Sequence, residues 1–177
     1  MEPIPPLRSS KVLIVGKGPG WDKALEFLNT DWNIWTIPQG YTLINSHRVD
    51  LVFELHSPEQ WKRKKGRLYE LNRLFTSPKL IVPTRVHGWT NNSYVLPTEE
   101  LKRLGVPLVN SFGWMIAYAI HRGATEIAFR GINLDWAHEA ETERDGMMFL
   151  LGYLRASDIK INVDVQSGLA KGHSIRL

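Results

Sequence analysis

Two histidines stand where the chain can do acid–base chemistry. Glu54-Leu55-His56 closes a β-prone run, and the two-residue period of an extended chain puts the carboxyl and the imidazole on the same side. The pair reads as an acid/base couple, as a clamp for ribose hydroxyls, or as a structural couple with His56 bonded to the next helix. The residue types leave all three open. His138 ends the stretch Gly131-Ile132-Asn133-Leu134-Asp135-Trp136-Ala137-His138. Asp135 there can hold sugar hydroxyls, and an imidazole titrating near neutrality can give or take a proton. A loop histidine is also an ordinary solvated residue. His138-Glu139-Ala140-Glu141 lacks the H-E-x-x-H spacing of a helical zinc site, so no metal is expected. The chain has no cysteine, which removes thiolate catalysis, disulfides and cysteine–zinc sites together and suits a reducing compartment.

Anion chemistry is expected at Gly16-Lys17-Gly18-Pro19-Gly20. Glycines let a ligand approach the backbone, a following helix offers unpaired N–H groups, and Lys17 adds a cation. A ligand-free βα turn has the same composition. Two familiar phosphate motifs are excluded. G-x-x-x-x-G-K-[ST] is absent, and the dinucleotide fingerprint needs a glycine where Trp21 stands and an acid near the end of Thr36-Ile37-Pro38-Gln39. Asn110-Ser111-Phe112-Gly113 is a second candidate turn, where a hydroxyl and a small residue offer another anion or base-contact site or merely a helix cap. Asn133 and Asp135 complete the expected binding set.

These residues need a scaffold that gathers them. Lys11–Val15, Asn33–Ile37, Leu51–Leu55, Lys79–Val82, Glu126–Arg130 and Lys160–Val165 are short apolar runs that read as strands. Helical stretches fall between them at 21–29, 58–75, 97–104, 111–122 and 141–156, and 84–94 reads as a polar segment. Alternation of strand and helix predicts an α/β domain with a doubly wound, mostly parallel sheet of five or six strands, helices on both faces and a Rossmann-like outline. Ligands of such sheets bind beyond the strands' carboxyl ends, where the candidates fall.

The 177 residues suit one domain over 11–177, preceded by a flexible, proline-rich arm at 1–10. No leader pattern or bilayer-length apolar run is seen, so a soluble, cytoplasmic protein without membrane partners is expected. A net charge of +4 favours anionic ligands but is small for a dedicated DNA binder. The run Lys62-Arg63-Lys64-Lys65 with Arg67 reads as a solvated helix face or a phosphate-backbone strip. Of seven tryptophans, Trp89 and Trp136 are the ones expected to edge the crevice.

Gly16–Gly20 after the first strand, together with Asn110–Trp136 (NSFGWMIAYAIHRGATEIAFRGINLDW), resembles the bacterial sialyltransferases that use CMP-sialic acid. It also resembles a broad set of small, mostly uncharacterised phage proteins with the same two blocks. The likeness spans about Lys11 to Asp135 and is strong in those two patches. It implies phosphate and ribose at Gly16–Gly20, nucleotide contacts at Ser111 and Gly113, and the base or sugar side at Asp135. The departures are Lys17 for the loop's asparagine and Gly20 for its serine. That family's catalytic histidine lies in a long insertion after the aspartate segment. Here only about 25 residues separate Asp135 from the last strand, so His138 is the nearby stand-in and His173 a remote one.

Three functions fit. The first is a metal-independent, glycosyltransferase-like protein holding a nucleotide or nucleotide-sugar as ligand, without a resident cofactor. The second is a non-catalytic nucleotide-binding accessory protein of phage type. The third is a nucleic-acid-associated protein using the basic run and exposed tryptophans.

Overall fold

In β1 (Lys11–Val15), Val12 and Ile14 pack against one helical layer while Leu13 and Val15 pack against the other. A strand covered on both faces loses the polar alternation of a half-wet one, which is why it reads KVLIV. The computed structural model describes residues 4, 6–45, 48–57, 79–82, 93–132 and 140–164. Six further strands join β1: β2 (Asn33–Thr36), β3 (Leu51–Phe53), β4 (Lys79–Val82), β5 (Ser93–Val95), β6 (Glu126–Arg130) and β7 (Lys160–Val163). They form one sheet in the order β5-β4-β3-β2-β1-β6-β7, and every pairing is parallel.

The chain winds outward from β1 to β5, then returns to the other side of β1 for β6 and β7. Strand order therefore reverses between β1 and β6, whose carboxyl ends lie side by side. The 3-10 helix Trp21–Phe27 and α1 (Pro38–Ile44) cover one face. The helices α2 (Thr98–Lys102), α3 (Ser111–His121) and α4 (Ala140–Ala156) cover the other. At the centre of that second layer Trp35, Phe53 and Tyr118 pack with ring centroids 5.4–5.8 Å apart. Their contact ties β2 and β3 to α3.

The doubly wound parallel α/β class read from the alternation is the class observed. A seventh strand is added, because three residues with only Tyr94 buried are too short to show a period within the polar 84–94 segment. Pro38 does not merely end β2. It opens α1, where its fixed φ suits the first helical turn. The third strand stops at Phe53 rather than Leu55. The 58–75 helix, with the basic run inside it, lies outside the described residues, as do Trp89 and Trp136.

Ser111 was expected to cap α3, but Asn110 does so, its Oδ1 accepting from the Gly113 N–H at 2.9 Å. Asn110→Ala should lower unfolding free energy by about 1 kcal/mol, readable as a shifted urea midpoint at unchanged slope. Gly123, at φ +82°, ends the helix.

Burial pushes the Tyr118 phenol above its usual range, although Arg122 Nη1 donates to its oxygen at 2.8 Å and favours the phenolate. Above about pH 10 the unfolded chain sheds this proton first, so it binds fewer protons than the native state and stability falls as pH rises. Urea midpoints between pH 8 and 11 should decline more steeply for the wild type than for Tyr118→Phe.

Residues 8–10 of the arm bond to the amino edge of the sheet. Arg8 N–H donates to Asn33 Oδ1 (2.8 Å), and the Ser10 carbonyl accepts from Thr125 N–H (2.8 Å). This anchor lies at the end of the sheet opposite the turns after β1 and β6. No helix among the described residues is long and apolar enough to cross a membrane.

Candidate functional site

Parallel pairing brings the residues after β1 and β6 side by side, and the two turns lock together. Gly16 N–H donates to the Arg130 carbonyl (2.8 Å) and Gly18 N–H to the Gly131 carbonyl (2.6 Å). A side chain at Gly16 would collide with the Gly131 carbonyl oxygen. One at Gly131, where φ is +63°, would stand 2.7 Å from Trp21 Cβ. The glycines at 16 and 131 are thus required by close backbone approach. The Gly16 and Gly18 N–H groups are both bonded to β6 and its turn. Pro19 has no N–H to offer. Gly20 holds a left-handed φ of +82° at the start of the 3-10 helix, with no side-chain cap there.

The second turn adjoins the first. The Phe112 ring tip lies 3.2 Å from the position a Gly16 Cβ would take, so its ring sits against the glycine turn. Beyond it lies a cavity of about 280 Å³ lined by Ile37, Pro38, Gln39, Phe53, His56, Asn110, Ser111, Phe112 and Glu143. These residues come from the carboxyl ends of β2 and β3 and the amino ends of α3 and α4. Ser111 therefore stands on the cavity. Gly113 does not: it is buried, its N–H is taken by Asn110, and a Cβ there would meet the Pro107 carbonyl oxygen at 3.1 Å. Its small size lets α3 pack on the 107–108 segment.

Glu54 and His56, placed on one side by alternation, are in contact. His56 Nδ1 is 2.6 Å from Glu54 Oε1, and the same oxygen accepts the His56 backbone N–H at 3.1 Å. Glu54 is 0% exposed, whereas the His56 side chain is 36% exposed and borders the cavity. A carboxylate can only accept, so it holds a proton on Nδ1 and leaves Nε2 of a neutral imidazole with the lone pair. This arrangement fixes a tautomer and a ring plane, as a carboxylate behind a catalytic imidazole must.

Charge around the site is uneven. Among the described residues that line the cavity none is lysine or arginine, and Glu143 supplies a carboxylate. Asn110 Nδ2 donates to Glu143 Oε2 at 3.2 Å. Arg130 turns away. Its guanidinium stacks 5.2 Å over the Phe27 ring and donates to the Phe129 carbonyl and to Asn162 Oδ1. No cluster of three metal-ligating side chains occurs among the described residues.

Asn133, Asp135 and His138 fall outside the described residues, so only their approach along β6 to Ile132 is seen. Sequence reasoning missed Pro38, Gln39, Phe53 and Glu143 as cavity residues. Pro38 and Gln39 were within reach, because every parallel strand beside the switch contributes the residues just past its carboxyl end. Glu143 carries no such signal in its polar stretch.

No family profile and no curated protein matches the chain. Solved structures do. The sialyltransferase CST-II, crystallised with a trisaccharide acceptor and CMP, superposes with a TM-score of 0.58 at 16% identity, over 90% of this chain and 83% of that one. The monofunctional α-2,3-sialyltransferase Cst-I from Campylobacter jejuni gives a TM-score of 0.58 at 12% identity, over 99% and 83%. At such identities the shared property is the fold: this chain has the α/β architecture of those sialyltransferases.

Proposed function

We propose that the chain binds a nucleotide-sugar along the carboxyl edge of β1–β3 and acts as a small, cytoplasmic, metal-independent glycosyltransferase-like protein of the phage type. The observation that carries this is the meeting of the start of α3 and His56, held by Glu54, on one cavity of about 280 Å³, with the locked glycine turns on the other side of the Phe112 ring. Lys17 and Gly20 take the phosphate side, with Asn133 and Asp135 beyond β6 on the base or sugar side. Ser111 contacts the ligand from α3. His56, oriented by Glu54, exchanges a proton with the acceptor or leaving group, and His138 is the second candidate for that exchange. The fold shared with a sialyltransferase crystallised with CMP and a trisaccharide acceptor supports this reading.

A thermal-shift screen over nucleotides and their CMP-, UDP- and GDP-sugars tests it. A true ligand at 100 times its dissociation constant should add about 2.7 kcal/mol of stability. Stabilisation by none of them contradicts the proposal. Binding without turnover would instead leave a nucleotide-binding accessory protein.

A further inference from the structure

We infer that the chain pairs with a second copy of itself through the outward face of α4, the two helices lying antiparallel about a two-fold axis. The inward stripe of α4 is accounted for, since Met147, Leu150 and Leu154 are fully buried in the core. A surface helix turns charged or polar residues to the opposite side. Residues 146–154 instead read GMMFLLGYL, without a single charge, so the central turns of α4 are apolar all round. Phe149 faces outward and is 62% exposed, and Gly152, one turn further on, is exposed as well. A helix of that composition belongs in an interior.

The glycines of α4 differ in their reasons. A Cβ at Gly146 would collide with the Val109 side chain, whereas nothing lies within 4 Å of one added at Gly152. Glycine weakens a helix interior, and packing within one copy does not require it at 152. Against a second α4 it forms a hollow. Helical spacing puts Asp145, Phe149, Gly152 and Ala156 on one stripe. With an antiparallel mate centred between Leu150 and Leu151, Phe149 falls opposite Gly152, Met148 opposite Tyr153, and Asp145 beside Arg155. The symmetry repeats each contact, so a ring meets a hollow twice and opposite charges close both ends. Asp145 and Arg155 are exposed, and neither is in an ion pair among the described residues. This charge complementarity selects a second copy over a lipid surface, which would favour basic residues along the polar flank in place of Asp145. The pairing does not depend on the nucleotide-sugar reading.

Sedimentation velocity of the full chain, from low to high micromolar concentration, tests it. The wild type should pass from monomer to dimer, and Phe149→Glu should weaken that association at least about 100-fold while keeping the wild-type circular dichroism spectrum. Asp145→Arg and Arg155→Asp each bring like charges together across the axis, so each should weaken it about tenfold. Combined in one chain, the two exchanges should restore the dimer, and they carry the test if Phe149→Glu fails to fold. A wild type that stays monomeric throughout overturns the inference. So does a dimer that Phe149→Glu leaves intact, or a double exchange that associates no more tightly than its single parents.

Discussion

Gly131→Ala is expected to lower unfolding free energy by about 3 kcal/mol, from left-handed strain on a Cβ-bearing residue plus overpacking against Trp21. For a chain of this size that is a fall of roughly 6–12 °C in the melting midpoint. Gly16→Ala should cost about as much, because its Cβ would meet the Gly131 carbonyl, which cannot rotate away as a side-chain tip can. Gly123→Ala is the control. Its φ of +82° carries similar strain, but nothing lies within 4 Å of the added carbon, so about 1 kcal/mol is expected. Differential scanning calorimetry of the three variants separates close approach from conformational strain. Equal losses at all three positions would mean that the turns after β1 and β6 are not locked together.

The second large effect falls on turnover. His56→Ala should reduce transfer or hydrolysis of the nucleotide-sugar about 10³-fold, roughly 4 kcal/mol of barrier, while changing its dissociation constant only a few-fold. Glu54→Gln should cost less, about 10–100-fold, because the amide oxygen can still accept from Nδ1–H but lacks the charge that stabilises an imidazolium. The melting midpoint of Glu54→Gln must be read beside its rate, since Glu54 is fully buried and its loss also disturbs packing. A kcat unchanged in His56→Ala removes the couple from the chemistry and leaves His138.

The parts of the fold that the chain announces are those with local causes. β1 and β6 are continuous apolar runs because both their faces are covered, and that pattern needs no knowledge of neighbours. Glu54 and His56 were placed on one side by strand geometry alone, and they meet at 2.6 Å even though the strand proper ends at Phe53. The glycine turn was legible as a turn, but its reason was not. Gly16 and Gly18 resemble an anion cradle in sequence, while in space Gly16 leaves room for the Gly131 carbonyl and both N–H groups bond to the end of β6.

What stayed hidden is tertiary. Glu143 reaches the cavity only because α4 packs beside α3, where Gly146 lets Val109 approach. Helix α1 was masked by Pro38, which signals a strand's end and a helix's start with equal force. Asn110, one residue before the expected cap, wins because its amide serves Gly113 with one end and Glu143 with the other.

The whole account depends on a ligand seated in the cavity beyond the carboxyl ends of β2 and β3. Amide and side-chain chemical-shift mapping of isotope-labelled protein, titrated with the best nucleotide-sugar from the screen, locates that seat directly. The prediction is a contiguous set of shifts at Lys17, Gly20, Gln39, His56 and Ser111, with Asn162 on β7 and the Arg8–Asn33 anchor unmoved. Shifts confined to the amino edge of the sheet, or to β5 and β7, would contradict it.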